Sequence, residues 1–135
     1  MDLYSLKRLP LSDGDIMNKL RGRTKIIRYH ELNKVRNIED VMKDNSVVIL
    51  YEKRRNNGHW VCLVRYLKGG VPTIEFFDSY GIFPDDEKKQ ISDEYLRGSG
   101  QEYNKLAELL LRANRRNRIE YNDHKLQKKS HDVST

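Results

Sequence analysis

The 135-residue sequence contains a single cysteine, Cys62, which excludes an intrachain disulfide framework and a cysteine-based zinc site. Such sparse use of cysteine fits a reducing compartment. No apolar run approaches the roughly 18 residues of a membrane-spanning helix, and residues 1–8 contain no apolar signal-peptide core. These absences predict a soluble intracellular protein that has no membrane partner.

Charge is abundant but unevenly distributed. The chain has 26 Lys and Arg against 20 Asp and Glu, a net charge of +6, and residues 97–129 alone hold nine basic against four acidic residues. A basic surface favours nucleic acid or acidic protein partners, although a solvated charged face explains the same composition. Because no basic stripe with interleaved aromatic residues is present, we expect any contact of this C-terminal half with DNA to be nonspecific.

The length suits one domain, and we expect residues 1–135 to form a single α+β domain. Apolar runs and turn signals predict strands at Thr24–Tyr29, Ser46–Glu52, His59–Leu67, Thr73–Ser79 and Arg118–Tyr121. The three central strands should form an antiparallel meander. Helices are predicted after the caps Ser12 and Asn37 and, with amphipathic spacing, over Tyr103–Asn114. The polar segment between Gly81 and Gly100 is predicted to be a connection with one helical turn.

A histidine begins one predicted strand, and an aspartate lies near the end of the next. If the turn is centred on Gly69–Gly70, His59 faces Tyr80 and Asp78 faces Val61. His59 and Asp78 are then diagonal neighbours on one face, with Cβ atoms roughly 7–8 Å apart or a little less. A shift of one residue in register would place them on opposite faces.

The two residue types suit proton transfer. An imidazole with its ordinary pKa near 6.5 accepts a thiol or hydroxyl proton at neutral pH, and a carboxylate on its other nitrogen fixes the tautomer. The pair therefore supplies two members of a nucleophile–base–orienter triad. A surface histidine near an ordinary strand-end aspartate explains the same spacing.

No residue of the chain is a convincing nucleophile. Cys62 lies three positions after His59, so it should point to the opposite face as a small buried hydrophobe. Ser79, Ser134 and Thr135 carry conceivable hydroxyl nucleophiles. However, Ser79 should point away from the neighbouring aspartate, and the terminal pair has no fixed scaffold.

The other histidines give weaker signals. His30 is expected at the surface. His124 and His131 stand beside Asp123 and Asp132, residue types that bind metals, but no helix or hairpin pattern sets their geometry. We therefore expect a solvated tail, and no metal or cofactor.

Two blocks resemble a known protease family. Gly58–Val64, with its His-Trp pair, and Ile74–Gly81, with its Phe-Asp-Ser-Tyr-Gly end, resemble the adenovirus-type cysteine proteases and their relatives, the SUMO-specific proteases. The chain resembles in particular the small maturation proteases of virophages, Polinton-type elements and large DNA viruses, including at Leu11–Met17, Thr24–Ile27 and Leu126–Lys129. The resemblance covers almost the whole chain. It implies an α+β papain-like (adenain-type) fold, with an antiparallel sheet flanked by helices.

The resemblance also implies roles for three residues. His59 would be the general base, Asp78 its orienter, and Gln127 a side-chain donor to the oxyanion hole. Gln127 is otherwise an ordinary exposed amide. The family's nucleophile is the cysteine of a Cys-Gly pair just after this glutamine segment, and it would follow Thr135. We therefore expect a single protease-like domain that lacks the C-terminal segment with the nucleophile and is inactive as these 135 residues alone.

The activity implied by the resemblance is that of a viral cysteine endopeptidase that processes precursor or capsid proteins during virion maturation. It would act in the virion or in the virus factory of the host cytoplasm. One alternative is an isopeptidase for ubiquitin-like modifiers, which would use the same catalytic parts. Another is a non-catalytic domain that binds capsid, nucleic acid or a partner through its basic face, for which steep salt dependence of DNA binding would be diagnostic.

Overall fold

A five-stranded mixed sheet forms the body of the computed structural model, which describes residues 24–55, 57–78 and 81–121. In spatial and chain order the strands are β1 (Lys25–Arg28), β2 (Ser46–Arg54), β3 (Asn57–Lys68), β4 (Val71–Phe77) and β5 (Arg118–Tyr121). The architecture is α+β. The predicted helix after Ser12 lies outside the described residues.

The predicted antiparallel arrangement is correct for the centre of the sheet and wrong for its edges. Strands β2, β3 and β4 form the expected meander, whereas β1 runs parallel to β2 and β5 runs parallel to β4. Parallel neighbours need a crossover connection rather than a hairpin. The two edge pairs have such connections, because helical segments separate β1 from β2 and β4 from β5.

The helices occupy those crossovers. Within the residues that the structure describes, three 3-10 helices span Tyr29–Lys34, Ile38–Val41 and Asp86–Gln90, and two α-helices span Asp93–Gly98 (α1) and Lys105–Ala113 (α2). The helix predicted after Asn37 is thus a single 3-10 segment. The polar region between residues 81 and 100 contains more helix than the one turn expected, because Ser92 caps α1 by accepting a hydrogen bond of 3.1 Å from the amide of Tyr95.

The main core lies between α2 and one face of the sheet. The amphipathic helix predicted over Tyr103–Asn114 corresponds to α2, which buries four apolar residues: Leu106, Leu109, Leu110 and Ala113. They belong to one cluster with Val47, Ile49, Tyr51, Val61, Leu63, Ile74 and Phe76 from the strands. None of the helices within the described ranges is long and apolar enough to cross a membrane.

The two central hairpins fix the register. Lys68 pairs with Val71 and Cys62 with Phe77, so the predicted register between β3 and β4 is confirmed. The turn between them places Gly69 and Gly70 at φ 60° and 83°, where glycine is favoured. Both strands can therefore present a side chain to a common site at the opposite end of the hairpin.

An Asn-Gly pair is typical of a hairpin turn in which the glycine has a positive φ, but Gly58 has a different role. It is not a positive-φ turn residue but lies within β3, opposite Glu52. A Cβ atom at this position would lie 1.8 Å from the carbonyl oxygen of Tyr51. Glycine is required here because the two backbones approach closely just before His59.

Candidate functional site

The structure brings together the histidine and the aspartate that the sequence singles out. Nε2 of His59 and Oδ1 of Asp78 are 2.8 Å apart. Both side chains are buried, with 5% of His59 and 1% of Asp78 exposed. His59 enters the site from the start of β3, and Asp78 follows the last residue of β4. The predicted contact is present, and the catalytic roles of the two residues remain a prediction.

The contact defines the chemistry available to the imidazole. An ionised carboxylate only accepts hydrogen bonds, so Nε2 of His59 is the nitrogen that carries hydrogen toward Asp78. In the neutral ring, Nδ1 then has the lone pair and can accept a proton. The adjacent carboxylate stabilises the imidazolium that forms. This is the arrangement that a general base requires.

A buried tyrosine is the neighbour of His59 on its other side. Tyr51 of β2 is the direct cross-strand partner of His59. Its hydroxyl donates to Oδ1 of Asp85 at 3.0 Å and accepts from the amide of Asp85 at 2.8 Å. Burial, reinforced by the charge of Asp85, raises the pKa of this hydroxyl well above its ordinary value. The hydroxyl therefore remains protonated.

Asp85 joins three parts of the fold and was not singled out by the sequence. Its Oδ1 also accepts from the hydroxyl of Tyr29 at 2.7 Å, and its Oδ2 accepts from the amide of Ala107 at 2.8 Å. The hydroxyl of Tyr29 in turn accepts from the amide of Lys105, the first residue of α2. This buried cluster fixes the segment after β4 and the start of α2 against the sheet near His59.

A second polar cluster lies where β1 ends beside β2. The side chain of Gln101 takes the place of a strand partner there: Oε1 accepts from the amide of Glu52 at 2.9 Å, and Nε2 donates to its carbonyl at 3.0 Å. Nε of Arg28 donates to both carboxylate oxygens of the fully buried Glu52 at 3.1 Å. An open groove of about 590 Å³ lies alongside, lined by Arg28, Arg55, Ser92, Glu94, Tyr95, Gly98 and Ser99.

Cys62 is not part of the site. It is 1% exposed, and it pairs with Val48 and Phe77 within the sheet. Burial raises the pKa of its thiol to about 12, so almost no thiolate exists at neutral pH. The prediction of a small buried hydrophobe is confirmed.

The remaining candidates are placed as follows. His30 is half-buried rather than at the surface as expected. Gln127, the implied oxyanion donor, lies outside the described residues, as do Ser79, Ser134, Thr135, His124 and His131. Within residues 24–55, 57–78 and 81–121, no group of three or more His, Cys, Asp or Glu side chains has the geometry of a metal site.

One relative of known origin is similar over the whole length of the chain. A protein of Sputnik virophage, described as uncharacterized protein V9, is 36% identical over 135 residues, which represent 99% of this chain and 74% of the relative. The chain belongs to the family of this virophage protein. The description of the relative states no activity. No described protein family matches the chain, and no solved structure matches it.

Proposed function

We propose that this chain carries the general base of a viral cysteine endopeptidase that processes precursor or capsid proteins during virion maturation. The proposal rests on one observation, the buried contact of 2.8 Å between Nε2 of His59 and Oδ1 of Asp78. In the proposed reaction, Nδ1 of His59 takes the proton of a cysteine thiol, and Asp78 holds the ring and stabilises its charge.

The reaction is an acyl transfer, first to the cysteine and then to water. The thiolate forms a bond to the carbonyl carbon of the substrate, and the side-chain amide of Gln127 donates to the oxyanion. When the peptide bond breaks, the imidazolium of His59 returns its proton to the leaving amine. Water, deprotonated by the same imidazole, hydrolyses the thioester and regenerates the thiol. His59 thus serves in both half-reactions.

The nucleophile in this proposal is a cysteine other than Cys62. Cys62 is the only cysteine of the 135 residues, and its buried thiol has a pKa of about 12. In this proposal the nucleophile is the cysteine that the resemblance to the adenain-type proteases implies after Thr135, in a papain-like fold. The antiparallel centre of the sheet is compatible with that fold.

The virophage relative supports the viral part of the proposal. Maturation proteases act on structural proteins, so the proposed sites of action are the virion and the virus factory in the host cytoplasm. The structure gives less support to a basic binding domain. Of the six Lys and Arg residues between positions 97 and 121, four form ion pairs with glutamates: Lys105, Arg112, Arg116 and Arg118. These pairs reduce the positive field that would attract nucleic acid.

The direct test uses the protein expressed with the coding sequence that follows Thr135. We expect it to cleave capsid or precursor proteins of the same virus, and we expect His59→Ala to lower the rate by about 10²–10⁴-fold, the usual contribution of a general base. His30→Ala is the matched control and should retain activity, because His30 lies in the 3-10 helix Tyr29–Lys34 and not in the strand that carries His59.

Two results would contradict the proposal. One is undiminished turnover by the His59→Ala variant. The other is DNA binding with a steep salt dependence and no thiol-dependent cleavage, which would support the binding domain instead. Selective cleavage of a fused ubiquitin-like modifier would identify the isopeptidase, with the same catalytic pair.

A further inference from the structure

The imidazole of His59 has neighbours on both adjacent strands. Asp78 binds it from the side of β4, and Tyr51 of β2 is its direct cross-strand partner. Direct partners in an antiparallel pair lie on the same face, with Cβ atoms about 4.5–5.5 Å apart. Tyr51 is 1% exposed and His59 is 5% exposed. The tyrosine ring therefore limits the space into which the imidazole can turn.

The ring of Tyr51 is itself held at its far end. Its hydroxyl makes two hydrogen bonds to one residue, at 2.8 Å with the amide of Asp85 and at 3.0 Å with Oδ1 of Asp85. Its face stacks on the ring of Tyr29, with centroids 4.8 Å apart and an angle of 25° between the planes. A phenol ring has only two side-chain torsions, so these contacts fix its position.

The backbone of Asp85 indicates that its side chain is needed at this position. Its φ is 71°, in the left-handed region where glycine is the favoured residue. Glycine would relieve the backbone but would lose the carboxylate, which accepts from Tyr51, Tyr29 and the amide of Ala107. The strained conformation is thus compensated by hydrogen bonds that fix the two tyrosines.

We propose that Tyr51, anchored by Asp85, is a positioning residue that keeps the imidazole of His59 directed at Asp78. The importance of this positioning for catalysis rests on the proposed function, in which His59 must present Nδ1 to a thiol. The positioning itself requires no nucleophile, so it can be measured on the 135-residue chain.

The test measures solvent exchange of the Nε2 proton of His59 by NMR in the ¹⁵N-labelled chain. Tyr51→Phe removes the hydroxyl and keeps the ring. Tyr66→Phe is the matched control, since Tyr66 also lies in the sheet and its hydroxyl donates to Glu75 at 2.8 Å. It is seven positions from His59 along β3, about 20 Å or more at about 3.4 Å per residue.

We expect exchange about tenfold faster in Tyr51→Phe, the factor that corresponds to about 1.4 kcal/mol, and a change of less than about twofold in Tyr66→Phe. Equal rates in the wild type and Tyr51→Phe, or equal acceleration in both variants, would overturn the proposal. If Tyr51→Phe does not fold, the same measurement is made on Asp85→Asn. An unchanged exchange rate of the Nε2 proton of His59 in that variant would also overturn the proposal. The two proposals can fail separately. If exchange is faster in Tyr51→Phe but the protein expressed with the sequence after Thr135 has no peptidase activity, the proposed function is refuted and the positioning role of Tyr51 stands.

Discussion

Gly58 lies next to His59 in β3, and its lack of a side chain makes room for the backbone of β2. We predict that Gly58→Ala lowers the free energy of unfolding by about 2 kcal/mol or more, because a Cβ atom would stand 1.8 Å from the carbonyl oxygen of Tyr51. Urea denaturation measures the change. Gly98→Ala is the control: nothing lies within 4 Å of its added Cβ, and it should be neutral or slightly stabilising. Equal stability of both variants would contradict the close approach.

Cys62 gives a prediction about alkaline pH. Burial raises the pKa of its thiol from an ordinary 9.0 to about 12, so the native state holds this proton more tightly than the unfolded chain does. Its contribution to stability is complete below pH 9 and is lost as the pH rises toward 12. We expect Cys62→Ala to show a smaller loss of stability over this range in thermal unfolding experiments. An identical decline in both proteins would show that the thiol is not buried as described.

The contact between His59 and Asp78 could be predicted from sequence because a Gly-Gly turn fixes the register of the hairpin that carries both. The cluster around Asp85 could not be predicted. Asp85 lies in a polar segment whose composition indicates solvent exposure, and its partners Tyr29 and Tyr51 are 56 and 34 positions away in the chain. Local patterns carry no information about such distant partners.

The helical spacing of apolar residues in α2 predicts which face of the helix is buried. We predict that Leu109→Ala, which truncates a side chain with 0% exposure, lowers the free energy of unfolding by about 2–5 kcal/mol. Leu111→Ala, in the same helix but 74% exposed, should change it by less than about 0.5 kcal/mol. Chemical denaturation of the two variants checks the prediction. A comparable loss in both would mean that α2 packs through a different face.

The sequence predicts the positions of the two edge strands but not their direction relative to the neighbouring strands. Residues 118–121 and the strand near residue 25 are recognisable as short strands, but alternation does not reveal the direction of the neighbouring strand. The crossovers through the 3-10 helices and through α1 and α2 make both edges parallel. The predicted antiparallel sheet was wrong at the edges because it extended the hairpin pattern of the centre.

Across the whole molecule, one end of the sheet gathers the features that bear on function. His59 is the third residue of β3, Asp78 follows β4, and Arg28 ends β1, so all three lie at the same end. The open groove beside α1 and the cluster around Asp85 adjoin this end. The hydrogen bonds of Asp85 and of Gln101 tie neighbouring segments to the sheet at this end, which suits a site that must hold an imidazole in one orientation.

In the proposed function, the imidazole of His59 acts on a cysteine thiol. The most direct measurement is the rate of alkylation by iodoacetamide at pH 6–7 for the protein extended beyond Thr135, with reacted cysteines identified by mass spectrometry. We predict a thiol other than Cys62 that reacts at least about tenfold faster than free cysteine, and a return to the ordinary rate in His59→Ala. The absence of such a thiol, or an unchanged rate in the His59→Ala variant, would contradict the proposed role of His59.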